Sequence, residues 1–455
     1  MLTVLMIAAL FFIAGQRLAL ALRSSSADRL HSLPHYHGMW VAITSALPAL
    51  FVLLLIVIGK DLLFQFWARD YFPQDVLDGD AVARAIALAK ISNIIDGIDF
   101  GEIEPWVQAA GNAWIRWEAN ATVTANFLVL MVSIAGGLLG YRRIHTSFRS
   151  RNNVERVLTW ILIGSSFVAI LTTIGIVLSV LFESIRFFNL IPPQDFIFGL
   201  EWNPQFEGAE RAGSGGGTAT YGMIPMFVGT FLISAIALIV AVPVGLFSAI
   251  YLAEYATPRI RGVVKPLLEI LAGVPTVVYG FFAALTVAPF VKSLGESMGL
   301  EVASESALAA GLVMGMMIIP LISSLSDDVI NAVPQSLRDA AYGLGSTRSE
   351  AVRLIVLPAA LPGIVAAVIL AVSRAVGETM IVVMAAGLAA NLSFNPLDAV
   401  TTVTSQIVTI LVGDQEFESA KTLSAFALAL MLIVTTLALN YFALQIVKRY
   451  REQYD

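Results

Sequence analysis

Leu337-Arg-Asp-Ala-Ala-Tyr-Gly-Leu-Gly345-Ser-Thr-Arg-Ser-Glu-Ala-Val-Arg-Leu-Ile355-Val-Leu357-Pro358 is the stretch whose reading decides the fold. Leu337, Ala340, Ala341 and Leu344 recur at helical spacing, with Arg338, Asp339 and Arg348 on the other side. Gly345 is expected to end one short amphipathic helix, and Arg348 to Leu357 to form a second that stops at Pro358. Apolar runs flank this polar insert on both sides. A helical elbow between two membrane spans has the character of a segment that docks into another protein's groove.

The apolar runs set the architecture. The chain has 455 residues, of which 58% are hydrophobic and 13% charged, with a mean hydropathy of +0.81. A soluble protein carries about 25% charged residues, so this is an integral membrane protein. Its spans are helical, because runs near 20 residues recur and no ten-residue alternation does. Nine can be marked, at about 2–22, 38–59, 121–141, 157–182, 225–250, 267–291, 306–325, 362–388 and 421–445. The first lacks positive charge ahead of its apolar core and reads as a retained span rather than a signal peptide. The fold class is therefore all-α and polytopic.

Lys and Arg placement orients the spans. Arg142, Arg143, Arg149, Arg151 and Arg156 mark one connecting segment. Arg259, Arg261 and Lys265 mark a second, and Arg338, Arg348 and Arg353 a third. Lys448, Arg449 and Arg451 mark the tail. These segments alternate with the acidic ones at 60–120, 183–222, 292–305 and 389–420. The elbow and the C-terminus are thus expected in the cytoplasm and the N-terminus outside. Segment 60–120 reads as a small helical subdomain resting on the spans, too small for a large core of its own. Residues 212–222, rich in glycine, read as a flexible loop. Three parts are expected: 1–150 with three spans, 151–222 as a linking span and loop, and 223–455 as the working domain with its elbow at 334–358.

Chemistry is confined to a few positions. With no cysteine, disulfides, thiolate metal sites and cysteine nucleophiles are excluded. His31, His35, His37 and His145 lie near membrane ends and read as an interfacial cluster. No Walker A sequence and no hydrolase or zinc-protease signature occurs, so the chain is not expected to be an enzyme or to hold a cofactor. Arg17 sits close to a helix end and can snorkel. Arg374 instead lies near mid-span, where a charge costs a few kcal/mol. Glu378, four residues on, is expected on the same helical face as its ion-pair partner. A guanidinium fork matches an oxyanion, and a carboxylate can accept the P–OH that phosphate retains at neutral pH. Ser373, Gly377 and Thr379 stand beside the pair. Thr276 and Tyr279, one turn apart on a Pro-broken helix, either line the same path or pack between helices. Glu254 and Glu269 are expected to pair with Arg259, Arg261 or Lys265 at the surface.

Two resemblances sharpen this reading. Asp339-Ala340-Ala341, three residues, Gly345, nine residues, Ile355, then Leu357-Pro358 resembles the EAA loop of bacterial ABC importer permeases, with Asp in place of the usual Glu. In that family the loop is the coupling helix seated in a cleft of the ATPase subunit. Leu268 to Gly280 and Ser373-Arg-Ala-Val-Gly-Glu-Thr-Met380 look like the phosphate-specific members, PstC type. The likeness covers roughly 225–445. It implies a type I permease core in a bacterial inner membrane and a path for phosphate shared with a second permease chain of PstA type. It also implies two ATPase subunits, a periplasmic phosphate-binding protein and no nucleic-acid partner. Arg374 and Glu378 would lie in the path. A permease for sulfate or molybdate is the alternative within transport. An ATP-independent channel or sensor, with 60–120 binding a ligand, is the alternative outside it.

Overall fold

Spans of this length and hydropathy must satisfy their backbone groups internally, and helices do so. The computed structural model describes residues 1–25, 30–77, 81–95, 97, 104–206, 219–412 and 419–451. Among them it is helical nearly throughout, and nine helices are long and apolar enough to cross a membrane. Its strands there are a ribbon of two residues each, β1 (Trp202–Asn203) and β2 (Thr220–Tyr221), paired antiparallel. Of the glycine-rich stretch, 212–218 lie outside the described residues.

The chain divides into two compact units, Met1–Leu171 and Thr172–Asp455. In the first, α1 (Leu2–Ser25) packs on α2 (Pro34–Ala68) and on α5 (Pro105–Arg142). Ser45 donates to the Ser133 carbonyl at 2.9 Å where α2 and α5 cross, so a buried hydroxyl is satisfied by the neighbouring backbone. The 35 residues of α2 and 38 of α5 span about 50–57 Å at 1.5 Å per residue, well beyond a bilayer core of about 30 Å. Their overhang supports α3 (Gln74–Leu77) and α4 (Ala81–Ile95). Ile91, Val107 and Ala110 form a small core there, bordered by Trp106, Trp114 and Trp117. The described residues between the two spans are helical and pack on the extended ends of both.

The division between units falls inside α6 (Ser150–Leu190), whose apolar stretch is not buried. The second unit continues with α7 (Pro193–Phe198), α8 (Ile224–Ile250), α9 (Pro258–Ala272), α10 (Thr276–Phe282) and α11 (Ala288–Ser297). There follow α12 (Ala307–Ala332), α13 (Gln335–Gly343), α14 (Arg348–Ala351) and α15 (Leu357–Val376). Then come α16 (Met380–Ala385), α17 (Val403–Val412) and α18 (Ala420–Arg451). The core lies between α8 and α12, where Ile233, Ala237, Met314, Ile318 and Ile322 are buried. Gly315 faces the backbone of Ala237, so the two helices approach as closely as small residues allow.

Three expectations change. The run 267–291 is not one span: α9 ends at Ala272, and the crossing helix starts at Thr276 after Pro275. The amphipathic α9 has no buried residue. The helix through Pro358 does not stop there. A π turn at Val352–Val356 leads directly into α15, and the wider turn accommodates a ring that has no N–H and would crowd a regular α-turn. The run 362–388 instead breaks at Gly377–Thr379.

Replacing Gly315 with leucine should force α8 and α12 apart. Overpacking of this kind costs about 1–3 kcal/mol, and a melting curve of the detergent-purified protein should fall by several degrees.

Candidate functional site

The break at Gly377–Thr379 follows from its sequence. Gly377 has low helix propensity, and its backbone at φ −90°, ψ 0° closes α15. Thr379 (φ −117°, ψ −54°) precedes α16. The expected relation of Arg374 and Glu378 assumed an unbroken helix, so it fails here. No Arg374–Glu378 ion pair exists among the described residues. Arg374 is exposed, and its Nη2 lies 4.0 Å from the Met317 sulfur. Glu378 is only 8% exposed. Its Oε1 accepts the backbone N–H groups of Met380 at 3.2 Å and Ile381 at 3.4 Å. The carboxylate thus satisfies two of the donors that a restarting helix leaves unpaired.

The neighbouring positions complete the account. Thr404 donates to the Glu378 carbonyl at 2.8 Å, and Thr379 to the Gly377 carbonyl at 3.4 Å. Ser373 donates to Asn440 Oδ1 of α18 at 2.6 Å. Tyr279 packs against the α8–α12 core, and its hydroxyl donates to the Leu271 carbonyl at 2.9 Å. Thr276 is half-buried at the start of α10. A polar layer on α17 lies against the break: Thr402, Thr404, Ser405 and Gln406 are buried. Gln406 donates to the Leu388 carbonyl at 2.6 Å and accepts from Trp202 Nε1 at 3.2 Å. Sequence reasoning assigned 389–420 to an outside loop and so missed this layer. A ten-residue helix is too short to register as a span; its dense Thr-Thr-Val-Thr-Ser-Gln run was the available signal.

The first half of the elbow takes the form expected, with more definition. Gly345 sits at φ +87°, a conformation that glycine adopts without strain. Its N–H bonds the Tyr342 carbonyl and that of Ser346 the Ala341 carbonyl, the pair of bonds that defines a Schellman stop. Thr347 and Glu350 then form a capping box that starts α14. Asp339 and Ala340 are exposed, Ala341 is buried, and Ile355, Leu357 and Pro358 are half-buried. Leu337, Tyr342, Leu344 and Leu354 present apolar surface, Leu344 to 88%.

The surface pairing expected for Glu254 is not found. Glu254 lies in a π turn, Tyr251–Tyr255, at the end of α8 and is buried. It pairs with Arg338 of the elbow, accepting Nε at 3.0 Å and Nη2 at 2.8 Å. Arg261 and Lys265 of α9 instead converge on Asp327 of α12, each at 2.9 Å, and Lys265 also reaches Asp328. The Asp328 hydrogen bond, then that of Asp327, holds Lys265 above the usual lysine range. Arg338 and Asp327 were legible as charges but not as partners, since each pair joins helices separated by more than 60 residues.

Among known proteins, residues 241–452 match the family described as a binding-protein-dependent transport system inner membrane component. Residues 1–172 match one described as a phosphate ATP-binding cassette transporter. The probable ABC transporter permease protein YqgH of Bacillus subtilis is 31% identical over 246 residues, 54% of this chain and 75% of that protein. The phosphate transport system permease protein PstC 1 of Mycobacterium tuberculosis is 35% identical over 182 residues, 36% of this chain and 54% of that protein. PstC of Pasteurella multocida is 36% identical over 178 residues, with 36% and 52% covered. The match thus spans three quarters of the Bacillus relative and about half of each PstC.

The Glu378 cap can be tested without transport. Glu378→Ala should cost about 1 kcal/mol at the restart of α16, as loss of a helix cap does, and speed hydrogen exchange at Met380 and Ile381. Glu378→Gln keeps an acceptor oxygen and should preserve most of the protection.

Proposed function

This chain belongs to the ABC transporter permeases, and from that membership we propose that it is the PstC-type permease subunit of a phosphate importer. The observation that carries the substrate assignment is Arg374: a cation in the last turn of the crossing helix Arg348–Val376, exposed, and with no carboxylate partner among the described residues. A cation at the end of an apolar crossing helix with no carboxylate beside it is costly, and an anion that visits it offsets the cost. The guanidinium fork suits the unprotonated oxygens of phosphate. Glu378 Oε1 is occupied by the cap, while its Oε2 has no hydrogen-bond partner among the described residues, and on this reading it accepts the P–OH. Ser373, Thr379, Thr276 and Tyr279 complete the lining of the path. Sulfate and molybdate lack a hydrogen to give that carboxylate, which favours phosphate over either.

Transport on this reading needs partners. A second permease of PstA type forms the other wall, two ATPase subunits bind on the cytoplasmic side, and a periplasmic protein delivers phosphate. Asp339, Ala340, Ala341 and Gly345 form the coupling helix and its stop, and Ile355, Leu357 and Pro358 join it to the crossing helix. The apolar residues around Leu344 are the contact surface for the ATPase. Residues 142–156 and the C-terminus face the cytoplasm by the positive-inside rule.

ATP-dependent phosphate uptake into vesicles holding the chain with its partners tests the assignment. Arg374→Gln should lower uptake about tenfold or more, since a lost charge-assisted hydrogen bond is worth about 1.5–3 kcal/mol. Arg374→Lys should fall between, and sulfate and molybdate should compete poorly. Unchanged uptake in both variants would remove Arg374 from the path. Separately, Gly345→Val strains the left-handed turn by about 1–2 kcal/mol and should weaken co-purification of the ATPase while leaving the helical content intact.

A further inference from the structure

Coupling helix α13 holds the body of the protein by very little. Of its nine residues only Arg338 and Ala341 are buried, and Ala341 contributes a single methyl group. Arg338 is 7% exposed and uses its donors on two elements at once. Nε and Nη2 reach Glu254 in the π turn that ends α8. Nη1 donates to the Val333 carbonyl at 2.6 Å and Nη2 to the Ile330 carbonyl at 2.8 Å, both at the end of α12. Those carbonyls are among the acceptors a helix leaves unsatisfied at its negative end, so the cation is held by geometry as well as by Glu254.

We propose that the Arg338–Glu254 pair is the joint through which displacement of the coupling helix passes to α8 and α12. This rests on the reading of α13 as the ATPase-coupling helix. A planar fork fixed on two helix ends transmits rotation as well as translation, which a single apolar contact does not. The receiving element suits this role, because the π turn at Tyr251–Tyr255 carries i→i+5 bonding at the point of attachment. A cavity of about 540 Å³ borders the pair, lined by Asn331, Tyr342 and Arg348 among others. It gives the joint room to shift without colliding with packed side chains. Arg338 and Glu254 are positioning residues; neither is assigned contact with phosphate.

The test uses the assembled complex with two conservative variants. Arg338→Lys keeps the charge and loses the fork, and Glu254→Gln keeps an acceptor and loses the charge. Both should co-purify with the partners and hydrolyse ATP at close to the wild-type rate. Phosphate carried per ATP should fall about tenfold, within the ordinary range of coupling between sites. A second readout is independent of substrate: nucleotide binding to the wild-type complex should change hydrogen exchange at Tyr251–Tyr255, and Arg338→Lys should abolish that response. Uptake and hydrolysis falling in parallel, an unchanged ratio, or loss of assembly in both variants would overturn the proposal and leave the pair a folding contact. If the wild-type complex carries no phosphate, the substrate assignment fails, while the exchange response still decides the joint.

Discussion

Within hydrocarbon, an unpaired backbone N–H or C=O costs several kcal/mol, and the second unit is arranged around meeting that constraint at one break. Between Val376 and Met380 the crossing helix stops and a short apolar helix starts. The Met380 and Ile381 amides go to Glu378, the Glu378 carbonyl to Thr404, and the Gly377 carbonyl to Thr379. Thr404 requires α17 to lie against the break. α17 is in turn fixed by Thr230 of α8, whose hydroxyl receives the Val403 N–H at 3.1 Å. Gln406 ties the irregular chain after α16 to the same layer through Leu388. Irregular backbone is tolerated here because side chains of the break itself and of α17 close its hydrogen bonds.

The same logic places the charges. Glu254 with Arg338, and Asp327 with Arg261 and Lys265, are neutralised where helices meet near the elbow. Removing one partner of a buried pair costs about 3–5 kcal/mol, so the buried Glu254–Arg338 pair fixes which helix ends stay together. Arg374 follows the opposite rule. Its nearest carboxylate in sequence is engaged by backbone amides, and the guanidinium is left to the space beside Met317.

Much of this was legible in the sequence because it depends on local signals. Nine apolar runs became nine crossing helices among the described residues, and Gly345 stops a helix where the spacing placed the stop. The Thr347–Glu350 capping box is local too and available to inspection. What escaped was non-local or hidden in continuous hydrophobicity. Hydropathy could not separate Ala272 from Thr276, or Val376 from Met380, since a run of apolar residues looks the same whether the helix through it is whole or broken. The i, i+4 pairing of Arg374 with Glu378 failed for that reason. Glu254–Arg338 spans 84 positions, and nothing in either local sequence names the other.

One consequence joins the break and the elbow. Arg374 lies at the end of α15, and α15 begins in the π turn that follows the capping box. From Arg348 to Val376 the helix is continuous over 29 residues, about 44 Å at 1.5 Å per residue. The elbow and the unpaired arginine are therefore the two ends of one rod. A regular helix is stiff along its axis, so motion at Thr347 reaches Arg374 without an intermediate hinge, except where the π turn at Val352–Val356 allows rotation. Glu378 is outside the rod, held by α16 and α17. Rotating the rod would move Arg374 relative to Glu378 and change the spacing of the two groups. A continuous helix joining them would forbid that change; the glycine at 377 permits it.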